Sequence, residues 1–182
     1  MNFKNLSLIV MCFLVFSCKK EDKKTDVDSE SIEATALKTI HIQMDVVQTT
    51  ASNYGVYYTE DNTVDFTDKF VIWNEVKPSP NAQLLDFYFP EAVSPTHVRF
   101  DLGNQPISED VVLNKFRFSF GENALEVKGS EFFNYFQKND SIPTEVDQIN
   151  GSIKFLKKKG SKATPFFYPN EALVSKISEI VN

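Results

Sequence analysis

Cysteine is nearly missing from this chain of 182 residues, occurring only at Cys12 and Cys18. From Lys19 onward there is none. Disulfides, Cys-ligated zinc and a cysteine nucleophile are therefore excluded from the rest of the chain. Histidine is as scarce: His41 and His97 are the only two. That excludes a His-rich metal centre and leaves two candidates for the base of any nucleophile–base–acid relay. No Gly-rich phosphate loop and no nucleophile elbow is present. No apolar run is long enough for a membrane span. Residues 6–16 give eleven residues that are apolar apart from Ser7, against the roughly 20 that a bilayer core requires. Basic charge is in deficit as well, with 19 Lys and Arg against 25 Asp and Glu for a net charge of −6. Both signs are interspersed and form no basic stripe, which argues against nucleic acid as a partner.

The beginning of the chain reads as a targeting segment. Lys4 supplies a positive charge, and the apolar run that follows fits the roughly 7–15-residue core of a signal peptide. Val15-Phe16-Ser17-Cys18 closes that run. It resembles a bacterial lipobox, with a branched aliphatic residue three before the cysteine and a small residue directly before it. Phe16 is bulkier than is usual there. The resemblance implies cleavage after residue 17, lipid on Cys18 and membrane attachment through that lipid. Residues 19–31 then hold four lysines, five carboxylates and one apolar residue, Val27. Such a segment cannot bury enough surface to offset its ordering entropy, so 18–35 is expected to be a disordered tether. Lys19-Lys20-Glu21-Asp22 is similar to the lysine-and-acid signal behind the cysteine of surface-exported lipoproteins in Bacteroidetes. The expected location is the cell envelope, anchored by lipid at the outer membrane, and this signal points to exposure on its outer surface.

Residues 36–182 have the length of one domain with its own core. Of the 17 phenylalanines, those at 3, 13 and 16 lie in the signal segment, leaving fourteen. Phenylalanine is first a core-filling residue, so this points to a well-packed interior before it points to a ligand.

Strand signals dominate. In residues 39–47, Ile40, Ile42, Met44 and Val46 alternate with polar residues, the period of a half-buried strand. Residues 54–59, 69–73, 83–89 and 96–102 are β-branched or aromatic runs. Phe116, Phe118 and Phe120 form the clearest alternation, with residues 124–127 as a short partner. Pro78-Ser79-Pro80-Asn81, Pro90, Pro95, Gly103-Asn104 and Gly121 read as turns. Asn150-Gly151 is a hairpin signal between 146–149 and 153–156. Residues 130–137 predict a short helix capped by Ser130. Asn170 caps a terminal helix with Leu173, Ile177, Ile180 and Val181 on its apolar face. The expected fold is mainly β: an antiparallel, jelly-roll-like β-sandwich with a short internal helix and a C-terminal helix.

Five segments carry a family likeness: Tyr54-Gly55-Val56-Tyr57-Tyr58-Thr59, Leu85-Asp86-Phe87-Tyr88-Phe89-Pro90, Val98-Arg99-Phe100-Asp101-Leu102-Gly103, Phe116-Arg117-Phe118 and Glu131-Phe132-Phe133-Asn134-Tyr135-Phe136. In this order they resemble the galactose-binding-like β-sandwich that is appended to membrane glycosyltransferases and also occurs alone in small envelope proteins. No glycosyltransferase membrane segment accompanies it here. The resemblance implies a fold whose members bind sugars, bind proteins or pack beside another domain.

Chemistry is harder to place. A glycosidase needs a matched pair of carboxylates, and nothing in the spacing of Asp45, Glu75, Asp86, Asp101 and Glu109 selects one. The expectation is no catalytic residue, no cofactor and no metal, although a turn acid such as Asp101 is of the kind that holds calcium. The triple lysine at 157–159 reads as a solvated strand end with some capacity for acidic polymers or lipid head groups. Sugar sites on sandwiches are often flat aromatic platforms. Trp73, Tyr57 and Tyr58 are the first candidates, followed by Phe166, Phe167 and Tyr168. For Trp73 a core position is the stronger expectation, because it ends the apolar run from Phe70. The 166–168 run lies between Pro165 and Pro169 and suggests a loop. The function expected is a lipid-anchored, non-catalytic module recognising a glycan or a partner protein. The alternative is a structural or accessory lipoprotein docking onto another envelope protein without a small ligand.

Overall fold

The computed structural model describes residues 39–103, 110–156 and 164–182. The signal segment 1–17, Cys18, the tether 18–35, Asn104, Glu109 and the lysines 157–159 lie outside the described residues. All described residues fall within one compact unit, Thr35–Asn182.

Chain order gives β1 (Ile40–Gln48), β2 (Ser52–Thr59), β3 (Val71–Val76), β4 (Ser79–Tyr88), β5 (His97–Asp101), β6 (Val111–Phe120) and β7 (Asn123–Lys128). A 3-10 turn at Gly129–Asn134 leads to β8 (Phe136–Lys138), β9 (Thr144–Asp147), β10 (Ser152–Phe155) and β11 (Phe166–Pro169). Helix α1 (Glu171–Val181) follows. Sheet I has the order β4-β1-β6-β10-β9, with β7 also paired to β6, and sheet II has the order β3-β2-β5-β11-β8. Every pairing is antiparallel. Pairs β1–β6 and β2–β5 nest around the β3-to-β4 connection, the ribbon order of a jelly roll. The fold is an antiparallel β-sandwich.

Strand parity assigns the faces. Ile40, Ile42, Met44 and Val46 of β1 point inward and are fully buried, as are Phe116 and Phe118 of β6. From sheet II, Tyr54, Val56, Val98, Phe100 and Phe167 meet them in one continuous core. Phe132 ties the layers together. Its ring stacks on Phe136 at 4.3 Å and meets Phe116, Phe167 and Phe100 edge-on at 5.5, 5.8 and 6.1 Å. Aromatic edge contacts add roughly 0.5–1.5 kcal/mol each beyond burial. The buried Tyr54 hydroxyl donates to Gln48 Oε1. Among the described residues no buried side-chain nitrogen or oxygen lacks a hydrogen-bond partner, as a stable interior requires.

Three local expectations need correction. The Pro78–Asn81 turn is shorter than expected, because β4 already begins at Ser79. Pro80 is tolerated there because β4 is the edge strand of sheet I, where a missing N–H costs little. The internal helix is a 3-10 turn, not an α-helix, and Ser130 is not its cap. It opens with the Lys128 N–H donating to the Glu131 carboxylate at 3.0 Å, and Tyr135 N–H bonds Phe132 O three residues back. Phe136 is drawn into β8 by pairing with Pro169. The 166–168 run is strand β11, with Phe167 inward. The apolar face of α1 is as expected, with Leu173, Ile177 and Ile180 buried and Val181 half-buried against the core.

The Asn150-Gly151 hairpin forms, with Gly151 at φ +65° supplying the left-handed turn residue. Asn170 caps α1, its Oδ1 accepting from Ala172 N and Leu173 N. No helix among the described residues is long and apolar enough to cross a membrane.

Candidate functional site

The outward-pointing residues of sheet II form a layer unlike an ordinary sheet surface. In β2 the inward set Tyr54, Val56 and Tyr58 leaves Gly55 and Tyr57 facing out. Register then sets their neighbours. Gly55 lies between Trp73 and Asp101, and Tyr57 between Val71 and Arg99. Phe166 of β11 stands opposite Asp101 on the far side of β5.

Arg99 is the centre of this layer. Its guanidinium carbon lies 4.1 Å from the Tyr57 ring centre, 4.9 Å from Phe166 and 5.4 Å from Phe66. The same group forks onto Asp101, with Nε–Oδ1 at 2.8 Å and Nη2–Oδ2 at 2.9 Å. Planar stacking with a bidentate carboxylate is geometry that arginine provides and lysine does not. Burial dominates the Asp101 carboxyl and lifts it above the usual carboxylate range, with Arg99 offsetting only part. Burial also opposes the Arg99 charge, but the hydrogen bonds to Asp101 and its charge outweigh it, so the guanidinium sits above its ordinary value.

The connection from β2 to β3 covers part of the layer. Phe66 lies within 6.1 Å of Tyr168, and the Tyr57 hydroxyl donates to Asp68 Oδ1 at 3.0 Å. Burial, reinforced by that hydrogen bond, pushes the Tyr57 phenol up to about 12. The same connection lines a cleft of about 330 Å³ bounded by Tyr58, Thr59, Glu60, Asp61, Asp65, Thr67 and Phe70. There the Thr63 hydroxyl and N–H hold the Asp61 carboxyl below its usual range.

Trp73 marks the open part of the layer. Contrary to the core expectation it is 42% exposed. Parity explains this, because Ile72 and Val76 turn toward the core and leave Trp73 outside on an edge strand. Its six-membered ring lies directly over Gly55, where a Cβ would come within 2.8 Å of Cζ3. Tyr57 meets it edge-on at 5.9 Å. Glycine at 55 thus lets the indole lie down on the sheet.

The other expected residues divide. Tyr57 belongs to the layer but is covered by it. Tyr58 does not belong: it points inward, with its ring on Phe89 at 5.1 Å and Phe70 at 5.6 Å, and serves the core. Tyr168 is half-buried at the rim beside Phe166, and Phe167 is core. Asp101 is no free turn acid but is committed to Arg99. Arg99 and Phe66 were not anticipated. The parity of Val98, Phe100 and Leu102 places Arg99 outward on a central strand, where a long cation must find partners.

The remaining acids do not converge. Asp86 lies on the outer face of sheet I, holding His41 Nε2 and Gln43 Nε2, each at 2.8 Å. Asp45 accepts from Asn114. Ser119 stands opposite His41, but its hydroxyl donates to the His41 carbonyl oxygen and not to the ring. Among the described residues no group of three His, Asp or Glu could hold a metal ion. The chain matches no family model, no curated protein and no solved structure.

Proposed function

We propose that the protein is a lipid-anchored lipoprotein of the cell envelope whose domain is a non-catalytic glycan-binding module. Its contact surface is the outer face of sheet II, centred on Trp73. The observation that carries this reading is the indole lying flat over Gly55 and 42% exposed, on a floor made rigid by Tyr57, Arg99 and Asp101. A flat ring held in place offers apolar area to the C–H face of a sugar at little entropic cost. Tyr168 and Phe166 extend the surface along β11. The likeness of the sequence to a galactose-binding-like sandwich supports the same ligand class. Attachment rests on Cys18, through which the module is held at the outer membrane, facing outward.

A glycan-array screen of the full chain tests the binding reading, carried out in a detergent without a sugar head group. Wild type is expected to retain a defined set of glycans, and Trp73→Ala to lose them while unfolding at the same temperature. Ile149→Ala, 88% exposed on the β9–β10 turn, serves as control. A blank array with folded protein overturns the glycan reading in favour of an accessory role on a protein partner. The anchor is tested separately by intact mass and membrane fractionation of Cys18→Ala, which is expected to lose the lipid mass and leave the membrane fraction.

A further inference from the structure

Tyr88 is the most exposed aromatic residue described, at 63%, and it lies on the outer face of sheet I, away from Trp73. An exposed tyrosine ordinarily samples several rotamers. This one is stacked on His41, the ring centres 4.2 Å apart and the planes 2° from parallel. Register places His41 opposite Tyr88 and Gln43 opposite Asp86. His41 is fixed in turn, its Nε2 2.8 Å from Asp86 Oδ1, the oxygen that also accepts from Gln43 Nε2 at 2.8 Å. The Asp86 carbonyl oxygen accepts from Asn74 Nδ2 of the neighbouring β3 edge at 2.8 Å. Among the described residues, Asp86 Oδ2 and Gln43 Oε1 accept no hydrogen bond.

We infer that Tyr88 stacked on His41, with Asp86 and Gln43 at its flank, is a second contact site that takes a neutral pyranose unit. The backed ring supplies a flat apolar face of fixed orientation. The two free acceptors belong to the neighbouring Gln43–Asp86 pair on the same outer face, two residues along the strands, and suit sugar hydroxyls, which donate. A carboxylate-bearing sugar is disfavoured by Asp86, and Arg117, opposite Gln43 on the other side of β1, is committed to Glu126 at 3.1 Å. The site is independent of the Trp73 reading, since the two rings lie on opposite outer faces of the sandwich.

The test is ¹⁹F NMR of the full chain carrying 3-fluorotyrosine, in a detergent without a sugar head group. The Tyr88 resonance is assigned by its loss in Tyr88→Phe. Methyl glycosides of glucose, galactose and mannose are the probes, with methyl glucuronide as the anionic arm, and Trp73 emission is read in the same titrations. At least one neutral glycoside is expected to move the Tyr88 resonance saturably, in about the millimolar range. Asp86→Asn is expected to weaken that response about tenfold, while Ile149→Ala leaves it unchanged. A stationary Tyr88 resonance with all neutral probes overturns the site, whether or not Trp73 emission responds. A response to the glucuronide alone also overturns it.

Discussion

The two outer faces of the sandwich both carry an arginine paired with an acid, and they use the pair differently. On sheet I, Arg117 and Glu126 are 3.1 Å apart with side chains 36% and 47% exposed. On sheet II, Arg99 and Asp101 are 2.8 Å apart with side chains 16% and 12% exposed. An exposed pair contributes about 0–1 kcal/mol and is screened by salt. A covered pair costs several kcal/mol to desolvate, and its cost is recovered only through stacking and full hydrogen bonding. The difference teaches that the sheet I charges decorate a surface, while the sheet II charges build a floor. That floor holds Tyr57 and carries the exposed Trp73 beside it.

Breaking the covered pair is expected to give the largest effect. Arg99→Ala leaves Asp101 without its counter-charge and removes the cation from three rings, at a cost of about 3–5 kcal/mol in urea unfolding. The double change Arg99→Met with Asp101→Leu sharpens the point. Because burial already lifts the Asp101 carboxyl, ionised Asp101 is a burden on the folded state, and the double variant is expected to recover most of that loss. Recovery of stability without recovery of glycan retention would separate the structural from the recognition role of the pair.

Alkaline unfolding comes next. The Tyr57 phenol is raised in the folded state to about 12, above its unfolded value of about 10. The folded form therefore keeps a proton that the unfolded form has lost. The resulting stability is complete below about pH 10 and disappears as pH rises through about 12. Urea curves across that window are expected to fall more steeply for wild type than for Tyr57→Phe. Equal slopes would show that the covered phenol is not held by its surroundings.

Gly55→Ala probes the seat of the indole. The added methyl meets a surface ring that can shift, so the expected stability change is within about 1 kcal/mol. Trp73 emission should change nonetheless, and glycan retention should drop. The smallest effect is expected for Arg117→Ala on the exposed face, no more than about 1 kcal/mol and vanishing at high salt.

Much of the fold was legible because alternation determines which side chains face the core. Ile40 to Val46 and Phe116 to Phe118 reveal their faces directly, and Asn150-Gly151 and Asn170 mark a turn and a cap by local chemistry. The same parity, followed through β3 and β5, would have put Trp73 and Arg99 on the outer face. The apolar run from Phe70 obscured it, because an edge strand with one covered and one aromatic face looks like a buried one. Tyr58 was misplaced for the converse reason, since adjacent tyrosines on a strand point to opposite sides. The stack of Tyr88 on His41 was not legible at all. It joins residues 47 positions apart in sequence, and only the register of β1 against β4 brings them together. Asp101 looked like a turn acid because its partner, two residues earlier, is reached across the pleat on the same face.

The most direct test of the central claim uses the fact that Trp73 is the only tryptophan. Its emission in the full chain, titrated with oligosaccharides retained on the array, reports on this face alone. The account predicts a saturable shift in emission and protection from a soluble quencher, both with the same midpoint as binding. Binding of a glycan with Trp73 emission and quenching unchanged would contradict it.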